Sequence, residues 1–350
     1  MNSDSPSPSR GWLVALAGFG INLALGVLYT WSLFKTAIEK EFGWQGSQLN
    51  DPYAVCCLTF AFTMIVAGKC QDKIGPRLTA TIGGLLVGAG MVLISTSNSY
   101  GAWLLGFGVL VGLGIGFGYS SATPPALKWF PPAKTGLVAG FVVAGFGLAP
   151  VYLAPVSQML LGNFGLEKSM LILGCFFAVV VIVLAQFLKN PPAGFLAVAP
   201  TASPAMGAVT APTAGATTRE MLRSPIFYVL WLTYAIGAGA GLMVISSVSG
   251  MAKKSMGEHA FIAVAVMAIG NAGGRVIAGL LSDKIGRRWT LMLVLALQAA
   301  LMFAAIPITA DKSTLPLVIV LLATAIGFNY GANLALFPTF TKDFWGLKNF

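Results

Sequence analysis

Long apolar stretches alternate with short polar ones along this chain, and the apolar stretches fall near 11–34, 52–68, 78–97, 102–124, 135–160, 168–188, 225–249, 259–282, 290–309 and 315–338. None shows the every-second-residue polarity of a barrel strand. Each holds about twenty mostly apolar residues, the length a helix needs to cross a hydrocarbon core of about 30 Å. The pattern predicts an all-α membrane protein.

One polar interval is long. Residues 189–224 include "NPPAGFLAVAPTASPAMGAVTAPTAGATTRE", a Pro-, Ala-, Thr- and Gly-rich run with the composition of a linker. Its end, "REMLRSP", reads as a short amphipathic piece leading into the seventh segment. The linker divides a first half, 1–188, from a second, 225–350.

Composition agrees with this reading. Apolar residues make up 57% of the chain and charged ones 9%, well below the quarter expected of a soluble domain. The net charge of +10 does not point to nucleic acid, because the Lys and Arg are scattered through short loops. With the N-terminus inside, cytoplasmic segments hold 14 of these residues, outer loops 6, and Arg275 is the remaining one. That bias predicts a cytoplasmic N-terminus in a cell membrane. The cysteines, Cys56, Cys57, Cys70 and Cys175, have no metal-binding spacing and are expected as reduced thiols. No metal or other cofactor is expected. The single histidine, His259, and the lack of a buried acid or an HExxH motif exclude the usual catalytic constellations, so no enzyme is expected.

A shift of 211 residues lays the chain on itself. "GKCQDKIGPR" at 68–77 meets "GLLSDKIGRR" at 279–288 with six identities in ten, and "GFGY" at 116–119 meets "GFNY" at 327–330. The halves are repeats with six segments in the first and four in the second. Extending the repeat gives a chain of about 400 residues, so two further helices are expected beyond "TKDFWGLKNF".

The doubled G-x-x-x-D-[RK]-x-G-x-[RK] loop resembles the signature of the major facilitator superfamily. "GVLYTWSLF" at 26–34, "KWFPPAKTGLVAG" at 128–140 and "ALFPTF" at 335–340 resemble its monocarboxylate transporter and oxalate/formate exchanger branch, and most nearly the bacterial proton-coupled L-lactate transporters. The resemblance implies two six-helix bundles related by a pseudo-two-fold axis, ten of the twelve helices lying in this sequence. It also implies a monomer moving a small monocarboxylate with protons by alternating access. An exchanger of organic anions is the alternative. The loop residues Gly68, Asp72, Lys73, Gly75 and Arg77, with Asp283, Lys284, Gly286, Arg287 and Arg288, would latch the two halves. Asp72 and Asp283 are placed to face the positive N-terminal end of a neighbouring helix.

Arg275, within "NAGGRVIAGL", is the candidate anion site. It lies eight residues before Asp283, about 12 Å along a helix, too far to snorkel comfortably to the surface. All eleven acidic residues lie at helix ends, in loops, in the linker or in the tail. A substrate carboxylate is the simplest partner for the guanidinium, and in the family that is resembled the arginine on this helix binds that carboxylate. Asn271, one turn earlier, shares its face. Animal monocarboxylate transporters carry Asp-x-x-x-Arg here; an amide cannot titrate, so a proton would need another carrier. The repeat makes Tyr119 and Tyr330 equivalent, facing a shared midplane site. Asn329 and Tyr29 are further polar candidates, and Leu28 with Phe146 would shape a methyl pocket.

Overall fold

The computed structural model describes residues 8–131, 134–192, 195, 216–256, 260–310 and 315–346. Its elements are α1 (Pro8–Leu25), a 3-10 stretch (Gly26–Thr30), α2 (Trp31–Phe42), α3 (Ser47–Ser95), α4 (Tyr100–Trp103), a π-helical stretch (Leu104–Val111), α5 (Gly112–Leu127), α6 (Thr135–Ala185), α7 (Thr218–Arg223), α8 (Pro225–Met256), α9 (Ala260–Ile285), α10 (Arg287–Ala310) and α11 (Pro316–Trp345). Among the described residues, eight continuous helical spans are long and apolar enough to cross a membrane. The chain is a multi-pass membrane protein.

Two of the eight are double. α3 and α6, of 49 and 51 residues, are each two helices joined through a glycine of non-helical geometry, Gly75 (φ 83°) and Gly165 (φ 74°). Only glycine enters that region without strain. Gly286 (φ 90°) stands where the repeat places the partner of Gly75, so the two signature loops turn by the same device. The first span, Ser9–Thr30, stops short of the expected 11–34, and α2 carries the helix on to Phe42, where Gly43 ends it in a left-handed conformation. Hydropathy detects the apolar part of a helix and is blind to the charged turns, here Lys35 to Glu41, that carry it out of the lipid.

Two compact units emerge, 1–129 with 152–195, and 130–151 with 196–350. In the first, the glycines of "GFGVLVGLGIG" let two helices close on α5 and the π-helical stretch. Side chains at Gly108, Gly112 and Gly116 would strike Val55, Cys56 and Thr63 in the first half of α3. Small residues at this spacing allow helices to approach without a hydrophobic driving force. One end of the unit is an aromatic core in which Trp31 lies 4.4 Å from Phe107 and 6.2 Å from Trp103, ring centre to ring centre.

In the second unit, α9 is the central strut. A side chain at Gly274 or Gly331 would overlap the backbone of Phe328 or Asn271, which locks α9 to α11. Gly140 and Gly279 bring 130–151 of α6 equally close to α9. α8 and α10 turn large apolar side chains outward, Trp231, Phe303 and Ile306 among them, as lipid-facing helices do. α7 forms the short piece expected of "REMLRSP", with Thr217 and Glu220 making a reciprocal capping box. The backbone N–H of Ala216 donates to the Trp345 carbonyl, tying the end of the linker to α11. Residues 196–215 and His259 lie outside the described residues. All four cysteines are free thiols.

Candidate functional site

Arg275 is wholly buried on α9. Its Nε donates to Asn271 Oδ1 at 2.9 Å, and an Nη donates to the carbonyl of Val143 on α6. The i, i+4 spacing puts the amide and the guanidinium on one helix face. α6 can reach them because Gly140 sits against the Arg275 backbone and Gly147 leaves the side-chain pair open. These two acceptors are neutral oxygens. They orient the guanidinium on the helix face. Asn271, expected on the same helix face as Arg275, is a direct hydrogen-bond partner of the arginine.

The other candidates occupy separate places. Tyr330 is buried on α11, its ring packed where a side chain on Gly241 would stand. Asn329, one residue earlier, turns its amide to Gln298 on α10, Nδ2 donating to Oε1 at 2.5 Å, and Asn333 Nδ2 donates to the Asn329 carbonyl at 3.1 Å. That places the Asn329 side chain in a contact between α10 and α11. In the first unit, Leu28 is buried and Tyr29 half-buried in the 3-10 stretch, and Tyr119 meets Phe60 edge-on at 5.5 Å. The 3-10 geometry changes which way these two helix 1 side chains project, and hydropathy gives no sign of it. Phe146 is buried on α6.

The second signature loop forms a polar cluster. Asp283 accepts the backbone N–H groups of Gly136 (3.1 Å) and Leu137 (2.8 Å), so its carboxylate sits on the N-terminus of α6. Arg287 bridges it at 2.6 Å to Asp343 at 3.1 Å and also donates to Ser282. Lys342 donates to Thr135 at 2.6 Å. A side chain at Gly136 would collide with the Asp283 carboxylate, which explains the bare residue there. Lys284 and Arg288 are exposed. In the first loop Asp72, Lys73 and Arg77 are exposed, Gly68 is half-buried, and Arg77 donates to the Leu188 carbonyl at 3.1 Å. Sequence reasoning missed Thr135, Ser282, Lys342 and Asp343. The one available signal was "TKD" at 341–343, charges immediately after an apolar run.

A helix bundle held by glycines, a doubled signature loop and a buried arginine on the eighth segment are matched by a family model over residues 12–349, that of the Major Facilitator Superfamily. The chain belongs to this superfamily. Its members are membrane transporters, and the protein is a transporter rather than an enzyme. It is 30% identical over 349 residues to an uncharacterized MFS-type transporter, YhjX, of Escherichia coli (strain K12), covering 97% of this chain and 81% of the relative. It is 29% identical over 342 residues to the oxalate:formate antiporter of Oxalobacter formigenes, covering 97% and 78%. To the human monocarboxylate transporter 11 it is 26% identical over 287 residues, covering 80% and 58%.

Proposed function

We propose that this superfamily member is a secondary transporter that moves a small monocarboxylate, L-lactate first among the candidates, across the cytoplasmic membrane by alternating access, driven by the proton gradient. The observation that carries this reading is Arg275, a permanent charge with no exposed surface, held by the neutral oxygens of Asn271 and Val143. A guanidinium can meet a carboxylate through two parallel hydrogen bonds. Similarity to a monocarboxylate transporter and to an oxalate:formate antiporter supports a small organic acid as the cargo. Tyr119, Tyr330, Tyr29 and Leu28 remain candidate walls of the binding site. The Asp283 cluster serves as part of the latch, since it fastens the start of α6 to α9, α10 and α11.

A second reading is organic anion exchange. It is favoured by the oxalate:formate antiporter, which matches 97% of the chain. Uptake of labelled L-lactate into proteoliposomes, with and without an inward proton gradient, separates the two for wild type and Arg275→Ala. Gradient-driven uptake that the substitution abolishes supports proton-coupled monocarboxylate transport. Uptake that requires an internal counter-anion and ignores the gradient supports exchange. Uptake unaffected by Arg275→Ala sinks the anion site.

A further inference from the structure

Val143 and Gly147 lie one turn apart on α6, and both meet the Asn271 and Arg275 pair. The Val143 carbonyl receives an Nη of Arg275, although in a helix that carbonyl already accepts the N–H of residue 147. Helical side chains lean toward the N-terminus, so a side chain at 147 would lie over this carbonyl and shield its second lone pair. Gly147 has none. A Cβ built there would stand 3.0 Å from Asn271 Oδ1 and 3.3 Å from Arg275 Nε, tighter than ordinary van der Waals contact. The two atoms it would crowd are the acceptor and donor of the hydrogen bond that orients the guanidinium.

Other glycines on the same helix have different neighbours. At Gly140 the nearest atom is the Arg275 backbone carbonyl, and at Gly136 it is the Asp283 carboxylate together with the Gly279 backbone. Gly140 sets how closely the helices approach, and Gly136 clears room for a cap. Gly147 touches the working ends of two side chains.

Resting on the anion-site reading of Arg275, we propose that Gly147 is a positioning residue for substrate binding: its missing side chain admits the Asn271 amide and the guanidinium to the α6 backbone and so fixes the angle at which Arg275 meets a carboxylate. Gly147→Ala keeps the arginine and its charge but tilts the fork. Substrate affinity falls while the turnover of bound substrate is little changed, because the charge that the transition between states must carry is the same.

The test is uptake of labelled L-lactate, pyruvate, formate and oxalate by proteoliposomes of wild type, Gly147→Ala, Asn271→Ala, the double variant and Arg275→Ala. Gly174→Ala, within the first unit, is the packing control, since a Cβ there would stand 2.5 Å from Met91 Cβ of the same unit. For Gly147→Ala we expect KM to rise about tenfold with kcat within about twofold, the scale of one disturbed charge-assisted hydrogen bond. Gly174→Ala should lower the unfolding temperature and leave KM alone. The double variant should be no worse than Asn271→Ala, because both changes act on one hydrogen bond. Additive losses, or an unchanged KM in Gly147→Ala while Arg275→Ala is inactive, would overturn the inference and leave the function intact. Should Gly147→Ala fail to fold, Gly147→Ala in the Asn271→Ala background decides: removing the crowded amide must restore folding, and failure to do so makes Gly147 a packing glycine. Wild-type uptake that persists in Arg275→Ala removes the anion site and the inference with it, and leaves transport standing.

Discussion

At the scale of single residues, the second unit repeatedly sets a polar side chain against a glycine of the facing helix. Arg275 and Asn271 meet Gly147, Tyr330 meets Gly241, and Asn333 meets Gly237. Where lipid tails compete equally with apolar side chains, close backbone approach and internal hydrogen bonds hold helices together. The shared face of Asn271 and Arg275 was legible from spacing, because residues four apart on a helix lie on one side; their hydrogen bond was not. Val143 was not, since a backbone acceptor leaves no trace in side-chain identity. Asn271→Asp would place a carboxylate where the amide oxygen lies 2.9 Å from Arg275 Nε. A carboxylate there would pair with the guanidinium and compete with the substrate for it. We expect KM for anion uptake to rise about tenfold or more. Initial rates over a range of substrate concentrations check this, and a KM equal to that of the wild type contradicts it.

At the scale of elements, apolar runs located each candidate span among the described residues, but their ends and breaks were set by forces that hydropathy does not sense. The charged turns of α2 and the 3-10 stretch before it lay outside its reach, as did the π-helical stretch ahead of α5. The loop glycines were a better guide. Gly75 and Gly286 were read from the repeat, and both have the left-handed geometry that a tight reversal demands. The repeat also anticipated a carboxylate on a helix N-terminus. Asp283 fulfils this at α6, whereas Asp72 is exposed. Asp283→Asn removes the charge facing the helix end and half of the Arg287 ion pair. The loss should be about 1–3 kcal/mol, seen as a lower unfolding temperature in detergent. Cysteine accessibility at the ends of α6 should also shift toward the open form. Unchanged accessibility and transport would remove Asp283 from the latch.

At the scale of the whole molecule, the positive charges make a prediction about orientation that contacts cannot supply. Six crossings before the linker would put the linker and the N-terminus on one side of the membrane, and the 14 to 6 division of Lys and Arg predicts that this side is the cytoplasm. A reporter fused within 196–215 should therefore read as cytoplasmic, and one between the first and second segments as external. The reverse pattern would refute the orientation.

The π-helical stretch Leu104–Val111 has a bearing on how this helix tolerates a change of length. A π turn is an α-helix that has absorbed one additional residue without rotating the turns beyond it. Elsewhere in a helix, losing a residue swings everything downstream by about 100°. Here the loss would merely restore regular winding, and Tyr119 would still face Phe60. Deleting Leu105, which is exposed, should thus be tolerated in a transport assay that a deletion in α5 abolishes. The stretch is a place at which the length of this helix can change while the face it presents stays constant.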